Sequence, residues 1–323
     1  MAALSGLFDR MILIGGPPRS GTKLAAWILN CHPQIAAAID DHVYECWALY
    51  YYPTRIGMVD RLRKRPLSRR TAARILENHL VCGQHLIGVA PSEKTSGYPE
   101  SRPPVRPDFE VTSQDVKLIR HTLPLDPFFL DRHLCLKSPE ISFVLPQLAA
   151  IFPGARFVLV YRPVSEIAES MYRKGNNVKN IPVYHARWKK EHGEDGGLAA
   201  PPGVPLEWTG LWKSVSDFQR CVIYGASYIR ALEQGLRRVK PERYFVYNHT
   251  DLRRDPQSVL TQMARFLNAD AEGFQAALKR IRPQTPPLPK QLQGELDSIG
   301  VDLELEGLFS RIKMLDSLIL DYL

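Results

Sequence analysis

The residues best suited to chemistry lie in one short segment, Gly16–Leu24, with the sequence GPPRSGTKL. Arg19 and Lys23 carry positive charge, while Ser20 and Thr22 carry hydroxyl groups. Guanidinium, ammonium and hydroxyl groups donate hydrogen bonds to the oxygens of phosphate and sulfate. The residue types in this segment therefore indicate binding of a tetrahedral anion.

The elements around the segment are those that an anion site requires. Met11–Ile14 is an apolar strand that breaks at Gly15–Gly16, and a helix is predicted to begin near Gly21 or Thr22. The N–H groups of a first helical turn have no partner within the helix and lie at the positive end of its dipole. The glycines let the backbone approach a ligand closely, so we predict an anion-binding turn here.

The nucleotide-binding P-loop is the obvious comparison. Gly16 and Gly21 have its spacing, but the next two residues are inverted, as Thr22 then Lys23. In the P-loop the lysine reaches the β- and γ-phosphates and the following hydroxyl holds Mg²⁺. The inversion removes the metal ligand from its place, so the sequence predicts an anion loop without a metal. A P-loop kinase or NTPase-like nucleotide-binding protein is the alternative.

A second candidate anion site follows the most apolar strand. Arg156–Tyr161 (RFVLVY) is a continuous apolar run, typical of a central parallel strand covered on both faces. It ends at Arg162, and Ser170 follows eight residues later on a predicted helix. An arginine that only caps the sheet edge is the simpler interpretation of this pattern by itself.

Acidic residues follow another predicted strand. Ile35–Ile39 would deliver Asp40, Asp41 and His42 at its carboxyl end, the edge where open α/β sheets bind ligands. Capping of a helix that begins near Val43 is an equally weighted interpretation of these aspartates.

Composition sets the class of protein. The chain has 323 residues, of which 45% are hydrophobic and 24% charged, as in ordinary globular proteins. The net charge of +8 favours acidic ligands only weakly.

Strands alternate with helices, which predicts one α/β domain of three layers, with a mostly parallel central sheet flanked by helices. The five cysteines form no zinc or disulfide pattern, and no apolar run approaches ~20 residues, so we expect a cytoplasmic chain without a membrane span.

Three stretches together resemble the sulfotransferases that use 3'-phosphoadenosine 5'-phosphosulfate (PAPS). Gly16–Leu24 looks like the loop for the 5'-phosphosulfate, and Arg156–Ser170 is similar to the 3'-phosphate motif. Arg243–Leu267 resembles the family's later strand-helix unit. The likeness spans about residues 11 to 270 and is greater to carbohydrate, tyrosyl-protein, polyketide-type and bacterial members than to cytosolic animal enzymes.

The resemblance implies a role for each matching residue. It makes PAPS the co-substrate, with no metal, and assigns the 3'-phosphate to Arg162 and Ser170. Arg19 and Lys137 would stabilise the transferring sulfuryl group, and Asp40 or His42 would be the general base, with Asp41 a further candidate. The loop residues implied to bind the nucleotide are Gly16, Arg19, Ser20, Gly21, Thr22, Lys23 and Leu24.

The local composition of the chain predicts its organisation. Residues 1–323 would form a single sulfotransferase-like domain, with lid loops at 91–115 and 193–205 and a C-terminal helical extension at 290–323. The expected acceptor is a small molecule or a glycan bearing a hydroxyl or amine, and no nucleic acid partner is expected. The protein would be a monomer or a homodimer. A PAPS-binding protein that has lost activity is a further alternative.

Overall fold

The computed structural model describes residues 10–38, 132–173, 200, 203–279 and 281. Five strands form one sheet: β1 (Ile12–Gly15), β2 (Ile35–Ala38), β3 (His133–Lys137), β4 (Arg156–Tyr161) and β5 (Tyr244–Asn248). The strand order is β2-β3-β1-β4-β5, and each of the four pairings is parallel. The carboxyl ends of all five strands therefore lie along one edge.

Helices cover both faces of the sheet, as the sequence predicted. They are α1 (Thr22–Asn30), α2 (Ile141–Ile151), α3 (Val164–Arg173), α4 (Thr209–Ser214), α5 (Asp217–Leu236), α6 (His249–Arg254), α7 (Pro256–Leu267) and α8 (Gln275–Leu278). Short 3₁₀ turns lie at Leu206–Trp208, Pro241–Arg243 and Ala271–Phe274. The apolar side chains of α1 and α7 pack on one face, and those of α2, α3 and α5 pack on the other. The predicted three-layer α/β fold is confirmed.

The apolar runs of the central strands are explained by burial on both faces. In β4, Phe157 and Leu159 belong to the core on the α2 side, whereas Val158 and Val160 belong to the core on the α1 side. Side chains alternate along a strand, so a strand buried on both faces needs apolar residues at successive positions. The bounds predicted for this strand, Arg156–Tyr161, are those found in the structure.

The C-terminal half contains one difference from the sequence prediction. Apolar and aromatic residues at helical spacing predict one helical region from Trp208 to Val239, but α4 ends at Ser214 and α5 begins at Asp217. Between them Ser216 caps α5, accepting a hydrogen bond from Gln219 N–H while the Gln219 side chain accepts from Ser216 N–H. This capping box is a start signal that helical periodicity alone overlooks.

Arg243 joins the beginning of β5 to the end of α2. Its guanidinium donates to the backbone oxygens of Ala149, Phe152 and Ala155, at distances of 2.6 to 3.2 Å. The last carbonyls of a helix have no partner within it, and here one arginine satisfies carbonyls of α2 and of the turn that leads into β4. The contact fixes where β4 begins relative to β5.

Several sequence predictions fall outside the described residues. They concern the loop at 91–115, the extension at 290–323 and the greater part of the loop at 193–205. Within the last of these, Gly203 lies against α2, since a Cβ atom there would be 2.7 Å from Phe143 Cζ. No helix in the described ranges combines the length and apolar character needed to cross a bilayer.

Candidate functional site

The loop between β1 and α1 has a left-handed backbone at three residues. Gly16, Arg19 and Gly21 have φ values of 134°, 69° and 106°. Ser20 N–H closes a turn inside the loop by donating to Pro17 O at 3.1 Å. Glycine adopts positive φ at little cost, whereas an arginine does not, so the conformation at Arg19 must be held by its surroundings. The predicted strand-turn-helix unit is formed.

Gly16 brings the loop into direct contact with β4 and α2. A Cβ atom at this position would lie 2.4 Å from Val160 O, which leaves no room for a side chain. Its N–H donates to Ser142 Oγ at 3.1 Å, and Ser142 is fully buried. Sequence reasoning missed Ser142, because a serine in a first helical turn is common and its partner lies 126 positions earlier.

The hydroxyl of Ser20 is aimed into the loop. The residue is fully buried, and its Oγ makes no hydrogen bond within the described part of the chain. It lies 3.1 Å from the point where a Cβ atom of Gly16 would be. Buried hydroxyls are normally hydrogen-bonded, so this atom fits a ligand oxygen. Thr22 is buried, Leu24 is half-buried and Lys23 is exposed at the start of α1.

The structure brings the two predicted anion sites together. Arg19 Nε donates to Ser170 Oγ at 3.2 Å, and Arg162 Nη1 donates to Arg19 O at 3.1 Å. Arg162 also pairs with Glu166 on α3, with 2.9 Å between Nε and Oε2. Residues of the loop and of the β4–α3 unit therefore form one hydrogen-bonded group, although about 150 residues separate them in sequence.

This group concentrates positive charge. Burial lowers the pKa of Arg19, and the neighbouring Arg162 lowers it further. Burial and then Arg162 lower the pKa of Arg253 on α6, while Glu166 acts in the opposite direction. Arginine keeps its proton under all ordinary conditions, so these groups repel one another and one carboxylate offsets them only in part. A bound anion would relieve that repulsion.

Lys137 lies at the same edge of the sheet, at the end of β3. Its side chain is buried, and Ser138 N–H donates to Ile14 O of β1 at 2.9 Å. The Ser138 hydroxyl donates to Glu140 Oε2 and accepts from Glu140 N–H. These contacts fix the backbone that follows Lys137 beside the start of the anion loop.

The predicted base lies outside the described residues. The first described range ends at Ala38, the last residue of β2, and the next begins at residue 132, so Asp40, Asp41 and His42 fall between the two. The strand itself pairs in parallel with β3, but the positions of the three side chains stay a prediction.

His249 is a further residue of the site that sequence reasoning did not single out. It follows β5 directly and packs against the loop, since a Cβ atom on Gly21 would lie 2.4 Å from His249 Cδ2. A histidine at a strand end carries no sequence signal that distinguishes it from an ordinary surface residue.

No group of three or more metal-ligating side chains occurs among the residues that the structure describes. Two buried cysteines in that part of the chain, Cys135 and Cys221, are free thiols. Burial raises the pKa of Cys135, and it raises that of Cys221 to about 12. The two buried thiols are therefore protonated and poor metal ligands.

Comparisons with known proteins give one family. The sequence matches the Sulfotransferase family over residues 11–192, more than half of the chain. That range includes the anion loop, Lys137 and the β4–α3 unit. A comparison with curated proteins finds no match.

Solved structures similar to this chain include three bacterial examples. The sulfotransferase domain of the Synechococcus PCC 7002 olefin synthase is 17% identical, with 94% of each chain covered and a TM-score of 0.43. Sulfotransferase STF9 from Mycobacterium avium is 17% identical, with 91% of this chain and 78% of that chain covered and a TM-score of 0.42. A sulfotransferase from Alicyclobacillus acidocaldarius is 13% identical, with 93% and 95% covered and a TM-score of 0.39.

The loop packing gives a testable prediction. Gly16→Ala should lower the free energy of unfolding by more than about 1 kcal/mol, because the added methyl group meets Val160 O and the backbone has positive φ. Gly210→Ala is the matched control, since Gly210 lies in α4 with open space around it. The control should raise stability by roughly 0.5 kcal/mol, the helix preference of alanine over glycine.

Urea denaturation of the three proteins measures both effects. A Gly16→Ala protein as stable as the wild type would contradict the close approach of the loop to β4.

Proposed function

This chain belongs to the sulfotransferase family, and we propose that it transfers the sulfuryl group of PAPS to a hydroxyl or amine of an acceptor. The observation that carries the proposal is the contact between the two anion sites, in which Arg19 reaches Ser170 and Arg162 reaches the backbone of Arg19. A ligand held by both sets of donors needs two distinct anionic groups that lie close to each other. PAPS has a 5'-phosphosulfate and a 3'-phosphate, whereas ATP has its phosphates at one end.

The residues of the loop suit the 5'-phosphosulfate. The Ser20 hydroxyl is buried and unpartnered among the described residues, and the first N–H groups of α1 lie at the positive end of the helix dipole. Gly16 and Gly21 keep the backbone free of side chains, and Thr22, Lys23 and Leu24 complete the segment.

The 3'-phosphate is assigned to Arg162 and Ser170. Arg162 is already oriented by Glu166 and by Arg19 O, so its guanidinium is held in place before a ligand arrives. Such preorganisation lowers the entropy that binding costs. Ser170 accepts a hydrogen bond from the side chain of Arg19, a residue of the loop. This bond couples the two ends of the site.

The reaction is an in-line displacement at sulfur. An acceptor oxygen or nitrogen forms the new bond to sulfur, its proton passes to Asp40 or His42, and the bond from sulfur to the bridging oxygen breaks. The bonding pair leaves with adenosine 3',5'-bisphosphate. Arg19, Lys137 and the loop N–H groups face the charge that develops on the sulfuryl and bridging oxygens.

The remaining features of the proposal concern the setting of the enzyme. Residues 1–323 form a single domain, with the segments at 91–115 and 193–205 as lids over the acceptor and 290–323 as a helical extension. The acceptor is a small molecule or a glycan, the protein is a monomer or a homodimer, and it acts in the cytoplasm without a metal.

Calorimetry in metal-free buffer tests the donor. Adenosine 3',5'-bisphosphate should bind at least tenfold more tightly than ATP, because only the former places a phosphate on Arg162 and Ser170. Tighter binding of ATP that requires Mg²⁺ would instead identify a P-loop kinase or NTPase. Sulfate transfer from PAPS to a panel of alcohols, phenols, amines and glycans then tests turnover, and tight binding without any transfer would indicate an inactive PAPS-binding protein.

Arg19→Ala should lower turnover roughly a hundredfold or more. Loss of one donor that stabilises transition-state charge typically costs about 3 kcal/mol in the barrier. Arg238→Ala is the control, because Arg238 is an exposed arginine just beyond α5. Near-normal sulfation by the Arg19→Ala variant would show that Arg19 is not a catalytic residue.

Separate alanine variants of Asp40 and His42 identify the base. The variant that removes it should lose about 10²-fold or more in kcat, as expected for a general base, while the Kd for adenosine 3',5'-bisphosphate stays unchanged. Full turnover by both variants would place the base at another residue, with Asp41 the next to test.

A further inference from the structure

His249 is a buried histidine in contact with the anion loop. It is the first residue of α6, the residue is 8% exposed, and the Cδ2–Nε2 edge of its ring lies along Gly21. Gly21 precedes the first turn of α1, whose N–H groups are the expected anion donors. The ring is therefore beside the place where a bound anion would carry its charge.

The hydrogen bonding of this ring is incomplete. Its Nδ1 is buried and makes no hydrogen bond in the described part of the chain. His32, another buried histidine, differs: Gln34 N–H donates to its Nδ1 at 3.2 Å, which leaves its Nε2 protonated to donate to Asp270 O at 3.0 Å. Both ring nitrogens of His32 form hydrogen bonds within the fold, whereas Nδ1 of His249 forms none with the described residues.

The charges around His249 oppose its protonation. Burial, and after it the charges of Arg162 at the end of β4 and Arg253 on α6, together lower the pKa of His249 to about 4. Glu166 on α3 is paired with Arg162, and Arg19 contributes another positive charge beside Arg162. The protein's own groups thus keep the ring neutral at physiological pH.

A bound phosphate or phosphosulfate changes this balance. It adds negative charge beside a group that is otherwise surrounded by arginines, and an adjacent opposite charge favours the protonated imidazole. A protonated ring would also supply a charge-assisted donor at the loop.

We propose that His249 takes up a proton from solvent when an anionic nucleotide binds, and that the resulting imidazolium helps to hold the anion at the start of α1. The inference rests on the proposed nucleotide site. It makes binding of the donor, and release of the bisphosphate product, dependent on pH through a residue that does not take part in the transfer step.

The size of the effect follows from linkage. If the bound anion restores the ordinary value of 6.5, affinity should rise about tenfold between pH 7.5 and pH 5.5 through His249 alone. The phosphates of the ligand also titrate in this range, but they do so equally in a variant that lacks the imidazole. The ratio of wild-type to variant affinity therefore isolates the histidine.

The lowered pKa of His249 also makes the stability of the folded protein depend on pH. The unfolded chain binds this proton with the ordinary pKa of 6.5 and the folded chain with a pKa of about 4. Stability from the neutral ring is thus present above pH 6.5 and is lost as pH falls towards 4. Circular dichroism should accompany each binding measurement at the lower pH.

The experiment is calorimetric titration of adenosine 3',5'-bisphosphate into the wild type and His249→Gln at pH values from 5.5 to 7.5. The ratio of their affinities should change about tenfold across this range. The control His133→Gln should show the wild-type pH dependence, since His133 lies at the amino end of β3, away from the carboxyl ends of the strands where the site lies. His249→Asn provides a second replacement, and the NMR titration of the wild-type histidines should show one ring whose midpoint rises when the nucleotide is added.

The outcomes separate this inference from the proposed function. Nucleotide binding with parallel pH profiles for the wild type and both His249 variants would overturn the role of His249 and leave the donor site intact. Failure of the wild type to bind the nucleotide at any pH would overturn both. A changed profile in His133→Gln would show that the linkage arises elsewhere.

Discussion

The site depends on two arginines being held close together against their mutual repulsion. Arg162 donates to the backbone oxygen of Arg19, and Arg19 in turn reaches Ser170. Like charges at short distance are unfavourable unless the surrounding structure fixes them or an anion neutralises them. Here the surrounding structure fixes the two arginines through the left-handed backbone at Arg19 and the ion pair between Arg162 and Glu166. Neutralisation by an anion is what suits the arrangement to a ligand with anionic groups at two positions.

The parallel sheet is what makes that arrangement possible. β1, β3, β4 and β5 end at one edge, and each passes directly into a segment that contributes to the site. The anion loop, Lys137, Arg162 and His249 therefore meet although the sequence separates them widely. Burial of the central strands on both faces fixes their register, and the register fixes the positions of the residues that follow.

Sequence reasoning succeeded where a local pattern carried the information. β4 and the helix that begins at Thr22 follow from apolar runs and from the glycines. The family resemblance singled out Arg162 and Ser170, but their contacts with the loop are seen only in the structure. Ser142, His249 and Arg243 were not foreseen, because each acts through one long-range contact that spacing does not encode. The break before α5 was missed for a different reason: the capping box at Ser216 was present in the sequence, but helical periodicity on both sides concealed it.

The hydrogen bond from Gly16 N–H to Ser142 Oγ has a consequence for redesign of the protein. It ties the donor loop to the segment that begins with Lys137 and continues into α2. Substitutions in residues 138–142 would therefore also alter the backbone of the loop that is proposed to bind the donor. A variant in this segment should accordingly be checked for a change in anion binding at the loop, because contacting positions do not behave independently.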